Sequence, residues 1–398
     1  MLSRETLIES GAGLALALTA FVLSSIFCGL MRRWAAQLGL IDIPTGHKGH
    51  KQPTPLGGGV AIWLATMLVI ATGAAVTVWG RAFLPQELSK HVSGLIDRRG
   101  EMALILGLAT LIMLMGLLDD RFTLNWRPRL LIQVALASCL VAYGIRATLF
   151  WPFNVPLVGG VVSVLWVVGL TNAFNMLDNM DGLSAGVGLI ASLLFAGAQI
   201  AVGSLFAPAV LLVLVGALGG FLVHNRYPAR IFMGDSGSNF LGFMLGALTL
   251  AGTYYRYDRG TTSFSVLAPL LVMAVPLYDS TSVVFIRLRE GRSPFLGDRR
   301  HFSHRLVERG LTPPQAVRTI DLVTLAGGLG ALLLHQLNLL GAALVLTQSC
   351  CLLGVVAILE ASGPRSQGSN LDHASEKPKD LGPSDQPSSL ERASREPG

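Results

Sequence analysis

Long apolar stretches, each ended by a short burst of polar residues, repeat along the first 360 positions of the chain. Residues 11–31 carry no charge, and neither do 57–80, 102–118, 147–177, 182–223, 236–255 and 337–359. A bilayer crossing takes about 20 mostly apolar residues, so each run predicts a membrane helix. The run 182–223 is about twice that length and divides near Gly203. A shorter span is predicted at 130–145, and another at 261–286 with a single charge, Asp279. A weaker span at 315–334 has Arg318 and Asp321 at its entry. The pattern predicts an all-α, polytopic integral membrane protein of about 11 transmembrane helices. The first run starts too late, behind too weak a basic segment, for a cleaved signal peptide, and reads as an anchor.

Residues 361–398 are Ser, Pro, Gly and charge without an apolar period. They predict a disordered tail behind a transmembrane domain spanning 1–360. Composition agrees: 52% of the 398 residues are hydrophobic and 14% charged, against about 25% charged in soluble chains. Mean hydropathy is +0.57. These values exclude a disordered protein and disfavour a soluble enzyme. Cys28, Cys139, Cys350 and Cys351 all lie in apolar runs without metal-ligand spacing, and read as apolar fillers rather than disulfides.

The net charge of +6 matters less than its distribution. With eleven helices, 22 of the 30 Lys and Arg fall on one side of the membrane, which makes that side, tail included, cytoplasmic. A ten-helix count would move the tail outside and leave the loop assignments unchanged. Nearly every residue with chemical potential lies on that same side. After the first helix comes Asp42-Ile-Pro-Thr-Gly-His47-Lys48-Gly-His50-Lys51. After the third come Asp119-Asp120-Arg121, Asn125, Arg127 and Arg129. Asn172-Ala-Phe-Asn175-Met-Leu-Asp178-Asn-Met-Asp181-Gly182 ends the fifth. Asn225-Arg-Tyr-Pro228-Ala-Arg-Ile-Phe232-Met-Gly234-Asp235-Ser-Gly237-Ser238 opens the eighth, and Asp298-Arg299-Arg300-His301-Phe-Ser303-His304-Arg305 follows the ninth.

Each motif has a bland and a chemical reading. A carboxylate at a helix C-terminus opposes the macrodipole, so the pair Asp119-Asp120 calls for a nearby cation. Asn172, Asn175, Asp178 and Asp181 recur every three residues, a polar ridge on a helix leaving lipid. Asp235 at a helix start is equally an ordinary cap. With Gly234 and Gly237 beside it, that start could instead receive an anion, with Asp235 holding a divalent cation against it. Mg²⁺ favours one or two carboxylates plus substrate phosphates. His301, His304 and Arg305 fit phosphate binding better than zinc, and Lys48 and Lys51 sit in a loop braced by Pro and Gly. Asp279 is either functional or the partner of an Arg in the bundle. There is no H-E-x-x-H and no P-loop. Together, acids with Arg, His and Lys at one membrane surface describe metal-assisted phosphoryl chemistry.

These segments, in this order, resemble the polyprenyl-phosphate N-acetylhexosamine-1-phosphate transferases, over residues about 10–335. The likeness implies transfer of HexNAc 1-phosphate from a UDP-sugar to undecaprenyl phosphate, releasing UMP and starting a cell-envelope glycan. It implies a bacterial inner-membrane enzyme with its active site on the cytoplasmic face, partnered by donor, lipid acceptor and bilayer. Nucleic acid is no partner, and a homodimer stays open. Asp235 and Asn175 would hold Mg²⁺, with Mn²⁺ as a substitute. Asp119, Asp120, Asp178, Asp181, His301 and His304 would form the catalytic set, Asp119 being the candidate base. Lys48, Lys51, Asn175, Asn225, Phe232 and Arg305 would bind substrate. In two places the chain departs from the related pattern: Ser303 replaces a histidine and Asn179 a glycine. The last loop and the loop after the first helix favour a UDP-HexNAc donor over the peptidoglycan pentapeptide donor, which remains the alternative. A non-catalytic transporter or scaffold is the reading from another class.

A lipid phosphate with a second pKa of about 6 is already ionised at neutral pH. Positioning and metal charge should then outweigh base catalysis. Direct attack on the β-phosphorus is the expected course, and a covalent carboxylate intermediate is the alternative.

Overall fold

The computed structural model describes residues 4–43, 53–80, 84–147, 155–252, 262–293 and 300–361, together with Ala82 and Tyr254. Helix α1 (Arg4–Trp34) leads into an antiparallel pairing of β1 (Ile41–Asp42) with β2 (Thr54–Pro55). Next come α2 (Gly58–Trp79), the short α3 (Gln86–Ser89) and α4 (Val92–Asp97), α5 (Arg99–Phe122) and α6 (Trp126–Tyr143). Then follow α7 (Pro156–Leu177), α8 (Leu183–Ala201), α9 (Phe206–Asn225) and α10 (Gly234–Ala251). A 3-10 turn over Ser263–Leu267 opens into α11 (Ala268–Val272) and α12 (Ala274–Arg289). The chain continues through α13 (Phe302–Glu308), α14 (Pro313–Gly328), a 3-10 turn at Leu329–Leu332 and α15 (Leu339–Ala361). The expected tail lies, beyond Ala361, outside the described residues.

A helix lies at each predicted span, but not each is a crossing in its own right. Among the described residues seven helices are long and apolar enough to cross a membrane: α1, α2, α5, α7, α8, α9 and α15. An eighth crossing results if α11 and α12, bent by 57°, are taken with the preceding 3-10 turn as one broken span. The remaining predicted spans fall on α6 and α10, with 18 residues each, and α14, with 16. At 1.5 Å per residue these are shorter than the hydrocarbon core. Two Arg open α6, and α10 begins with the polar residues of a site.

Helix α10 lies at the centre, its residues Ser236–Thr249 all buried, with α5, α7 and α2 packed around it. Missing side chains make this closeness feasible, as in other membrane bundles. A Cβ on Gly59 of α2 would lie 2.1 Å from the Gly237 nitrogen, and one on Gly116 of α5 would lie 2.3 Å from the Asp235 carbonyl oxygen. Helices α1 and α15 expose rows of Leu, Val and Ile on their outer faces, as lipid contact requires. All four cysteines are free, Cys28 buried and the others exposed.

Candidate active site

The polar ends of α5, α7, α10 and α13 are tied to one another by side-chain hydrogen bonds. At the end of α5, Thr123 takes a left-handed conformation (φ 47°) and its amide bonds back to the Asp119 carbonyl. The turn brings the Leu124 amide to Asp119 Oδ1 at 2.6 Å, while Asp119 Oδ2 accepts from Arg129 near the start of α6. Asp119 is buried and both its oxygens have protein partners. Asp120 points the other way. It accepts the Asp235 amide at 2.7 Å and the Ser236 amide at 3.1 Å, and so caps α10 from a different helix.

This answers the dipole cost expected for two acids at a helix end. Arg129 offsets Asp119, and the positive N-terminus of α10 offsets Asp120. It also corrects the anion reading of the Gly234–Gly237 segment, because the first amides of α10 already serve Asp120. Gly234 (φ 72°) is there so that Asp120 can approach: a Cβ would sit 2.7 Å from its carboxylate. Gly237 lets α2 approach.

Arg129 is the hub that the sequence did not single out. Beyond Asp119 it reaches Asp235 Oδ2 at 3.2 Å and, through its second terminal nitrogen, Asn175 Oδ1 at 3.2 Å. Asn175 turns its amide nitrogen to Asp235 Oδ1 (2.8 Å) and Ser238 Oγ (3.1 Å). Charge alone made Arg129 look like a topological marker. Its place four residues before Gln133, on the helix that follows the acidic pair, was the available signal. Gln133 itself bridges Asn172 and Asn239 beneath the site, at 2.6 and 3.2 Å. Asn172 is thus directed into this buried network.

The ridge continues into the turn after α7. Asp178 caps that helix and is partly buried. Burial first, then the charges of Asp120 and Asp181, push its carboxyl up to about 8. Asp181 Oδ2 accepts the Ala229 amide at 2.9 Å. Asn225, expected to touch substrate, is buried and braces two backbones, accepting from the Gly182 amide and donating to the Ile231 carbonyl. The partly buried Phe232 ties its backbone to Pro55 and Gly58, which brings the loop after α1 against the start of α10. Lys48 and Lys51 lie outside the described residues.

In the basic loop, His301 Nδ1 is 3.0 Å from Asp279 Oδ2, both residues being buried, so Asp279 partners a histidine rather than an arginine. Arg305, expected to face phosphate, bonds Ser282 at 2.9 Å and pairs with Glu360 of α15 at 3.1 Å. His304 is partly buried at the same helix start. The two departures from the related pattern meet: Ser303 Oγ donates to Asn179 Oδ1 at 2.5 Å, across 124 residues of sequence.

Among the described residues no group of three or more His, Cys, Asp or Glu could hold a metal by itself. The donors present, Asp235, Asn175 and the neighbouring Asp120 and Asp178, are hard oxygens. They fit Mg²⁺, whose coordination is completed by water and substrate phosphate, and they do not fit zinc.

Residues 102–253 match the sequence model of glycosyl transferase family 4, and this segment contains Asp119, Arg129, Asn175 and Asp235. The chain is 36% identical over 347 residues to a decaprenyl-phosphate N-acetylglucosaminephosphotransferase of Mycolicibacterium smegmatis, covering 79% of this chain and 81% of that one. It is 29% identical over 317 residues to a probable undecaprenyl-phosphate N-acetylglucosaminyl 1-phosphate transferase of Bacillus subtilis, covering 78% and 82%. It is 29% identical over 328 residues to the undecaprenyl-phosphate alpha-N-acetylglucosaminyl 1-phosphate transferase of Escherichia coli, covering 78% and 80%.

Proposed function

We infer that this chain, which belongs to glycosyl transferase family 4, transfers N-acetylglucosamine 1-phosphate from UDP-N-acetylglucosamine to a polyprenyl phosphate at the cytoplasmic face of the bacterial inner membrane. The observation that carries this reading is the junction of Asp119, Arg129, Asn175 and Asp235. Four separate helices, α5, α6, α7 and α10, converge there on one polar site. The site can receive a water-soluble diphosphate from one side and a lipid phosphate from the other.

In the reaction an oxygen of the lipid phosphate attacks the β-phosphorus of the donor. A new P–O bond forms, the bond from that phosphorus to the bridging oxygen breaks, and UMP leaves with the electron pair. Asp235 and Asn175 would hold Mg²⁺, which when bound neutralises the diphosphate oxygens. Arg129 keeps Asp119, Asp235 and Asn175 in register. Asp120 fixes the start of α10, and with it Asp235. Asp178 and Asp181 border the site from the turn after α7. The Asp119 side chain is 5% exposed against 35% for Asp235, which supports a positioning role for Asp119 and leaves Asp235 the more accessible to a ligand.

The test is UMP release by purified protein in detergent with Mg²⁺ and a panel of UDP-sugars, with and without undecaprenyl phosphate. Release from UDP-N-acetylglucosamine that depends on the lipid is the expected result. Release with another donor alone would replace the donor assignment. No release from folded protein with any donor would overturn the reading.

A further inference from the structure

The start of α13 is held by two side chains from other parts of the fold, and neither belongs to the carboxylate set above. Asp279, on α12, is 1% exposed. One of its oxygens accepts the Phe302 amide at 2.6 Å and the other faces His301 Nδ1 at 3.0 Å. Carboxylate oxygens accept, so Nδ1 carries a ring proton, and in the neutral form of the ring Nε2 is the nitrogen left free to accept. Among the described residues Nε2 has no protein partner. One residue further on, Ser303 is bonded to Asn179, which also donates to the Met176 carbonyl at 2.7 Å and is the neighbour of Asp178. The Tyr278 ring meets Phe302 edge-on at 5.9 Å and closes the apolar side. A buried acid inside a membrane helix is expensive. Here that acid fixes one imidazole and one helix start, and Ser303 of that start is bonded to Asn179 in the turn that carries Asp178.

We propose that Asp279 is a positioning residue for the phosphoryl transfer: it sets the tautomer and direction of His301, and the Asn179–Ser303 bond holds the same helix start against the Asp178 turn. This rests on the transferase reading above. His301 then offers Nε2 as an acceptor to a proton or a hydroxyl of the bound substrates, and Asp279 acts only through it.

The experiment compares Asp279→Asn, His301→Gln, the double variant and Ser303→Ala in the full-length protein. Asparagine keeps an oxygen for the Phe302 amide but turns an NH₂ toward Nδ1, which forces the ring proton onto Nε2. Asp279→Asn should lower kcat about 10- to 100-fold with donor KM changed less than about twofold. In the His301→Gln background the same change should cost less than about threefold, since residues acting as a unit are non-additive. Ser303→Ala should show a smaller kcat loss that also vanishes in that background, and it serves if Asp279→Asn fails to fold. A wild-type kcat in Asp279→Asn, or losses that simply multiply, would overturn the proposal. So would a KM rise that accounts for the whole defect. Nitrogen NMR of histidine-labelled protein, with His301→Gln assigning the signal by subtraction, reads the tautomer without any turnover. A protonated Nδ1 in the wild type is expected, and a protonated Nε2 would overturn the proposal even if the transferase reading stands. Absence of lipid-dependent UMP release in the wild type would sink that reading and leave the tautomer result to judge this one.

Discussion

Replacing Arg129 by glutamine probes the hub of the site most directly. The guanidinium is 20% exposed and binds a carboxylate that is 5% exposed, a second carboxylate and an amide oxygen. Hydrogen bonds to charged groups contribute about 1.5–3 kcal/mol each, but they share one side chain and do not add. The larger effect is what remains behind: Asp119, buried and, among the described residues, left with the Leu124 amide to offset its charge. Removing one partner of a buried pair costs about 3–5 kcal/mol. Glutamine can restore one hydrogen bond, so we expect a loss near the lower end, about 3 kcal/mol, or roughly two orders of magnitude in the folding equilibrium. Arg129→Lys should recover part of this, because it keeps the charge but loses the fork that spans Asp235 and Asn175. The assay is thermal melting in detergent with and without millimolar Mn²⁺. With the carboxylates uncompensated, added cation should raise the melting temperature of Arg129→Gln more than that of the wild type, by mass action on the folded state. A variant that melts with the wild type and gains no more than it does from Mn²⁺ would refute the reasoning.

Other expectations use independent features. The Asp178 carboxyl sits at about 8 in the folded chain against 3.8 when unfolded, so the folded state keeps its proton longer and stability falls as pH rises from about 4 through about 8. Melting curves from pH 6 to 9 should therefore decline less steeply in Asp178→Asn; parallel declines would contradict the shift. Gly116→Ala places a methyl 2.3 Å from the Asp235 carbonyl oxygen and should destabilise by about 1–3 kcal/mol as well as lower activity. Gly107→Ala, on the same helix with nothing within 4 Å, should do neither. At pH 8, Asp235→Asn should lose about 100-fold or more in UMP release with little change in melting, if it supports several kcal/mol of metal-dependent stabilisation. Asp119→Asn should show the reverse balance, losing stability more than turnover. Equal activity losses would count against separating the two roles.

Much of the fold could be read from the chain because the bilayer admits few solutions. Where about 20 apolar residues run without charge, a helix is the only open structure that satisfies its own backbone, and a helix lies at each such run. The exceptions mark where that rule weakens. Helix α10 is polar at one end and surrounded by protein, so its sequence need not satisfy lipid, whereas α6 and α14 are too short to span and leave Leu131 and Leu322 exposed. The positions of the site acids were also legible, since Asp119, Asp120, Asp178 and Asp235 fall at the ends of apolar runs.

Spacing reveals which residues share a face, and it is silent on what that face meets. Only the tertiary structure decided that Asp120 caps a helix 115 residues further on, that Arg129 joins Asp119 to Asp235, and that Asn225 braces backbones. It also turned Arg305 toward Glu360 and joined Asn179 to Ser303. Such partners are chosen by helix packing, through the contacts of Gly59, Gly116 and Gly237 around α10, where a missing side chain lets two backbones touch. Hydrophobic runs therefore determined where the long helices lie, because that depends on transfer from water to lipid along the chain. Which polar ends meet depends on three-dimensional closeness, and no local pattern encodes it.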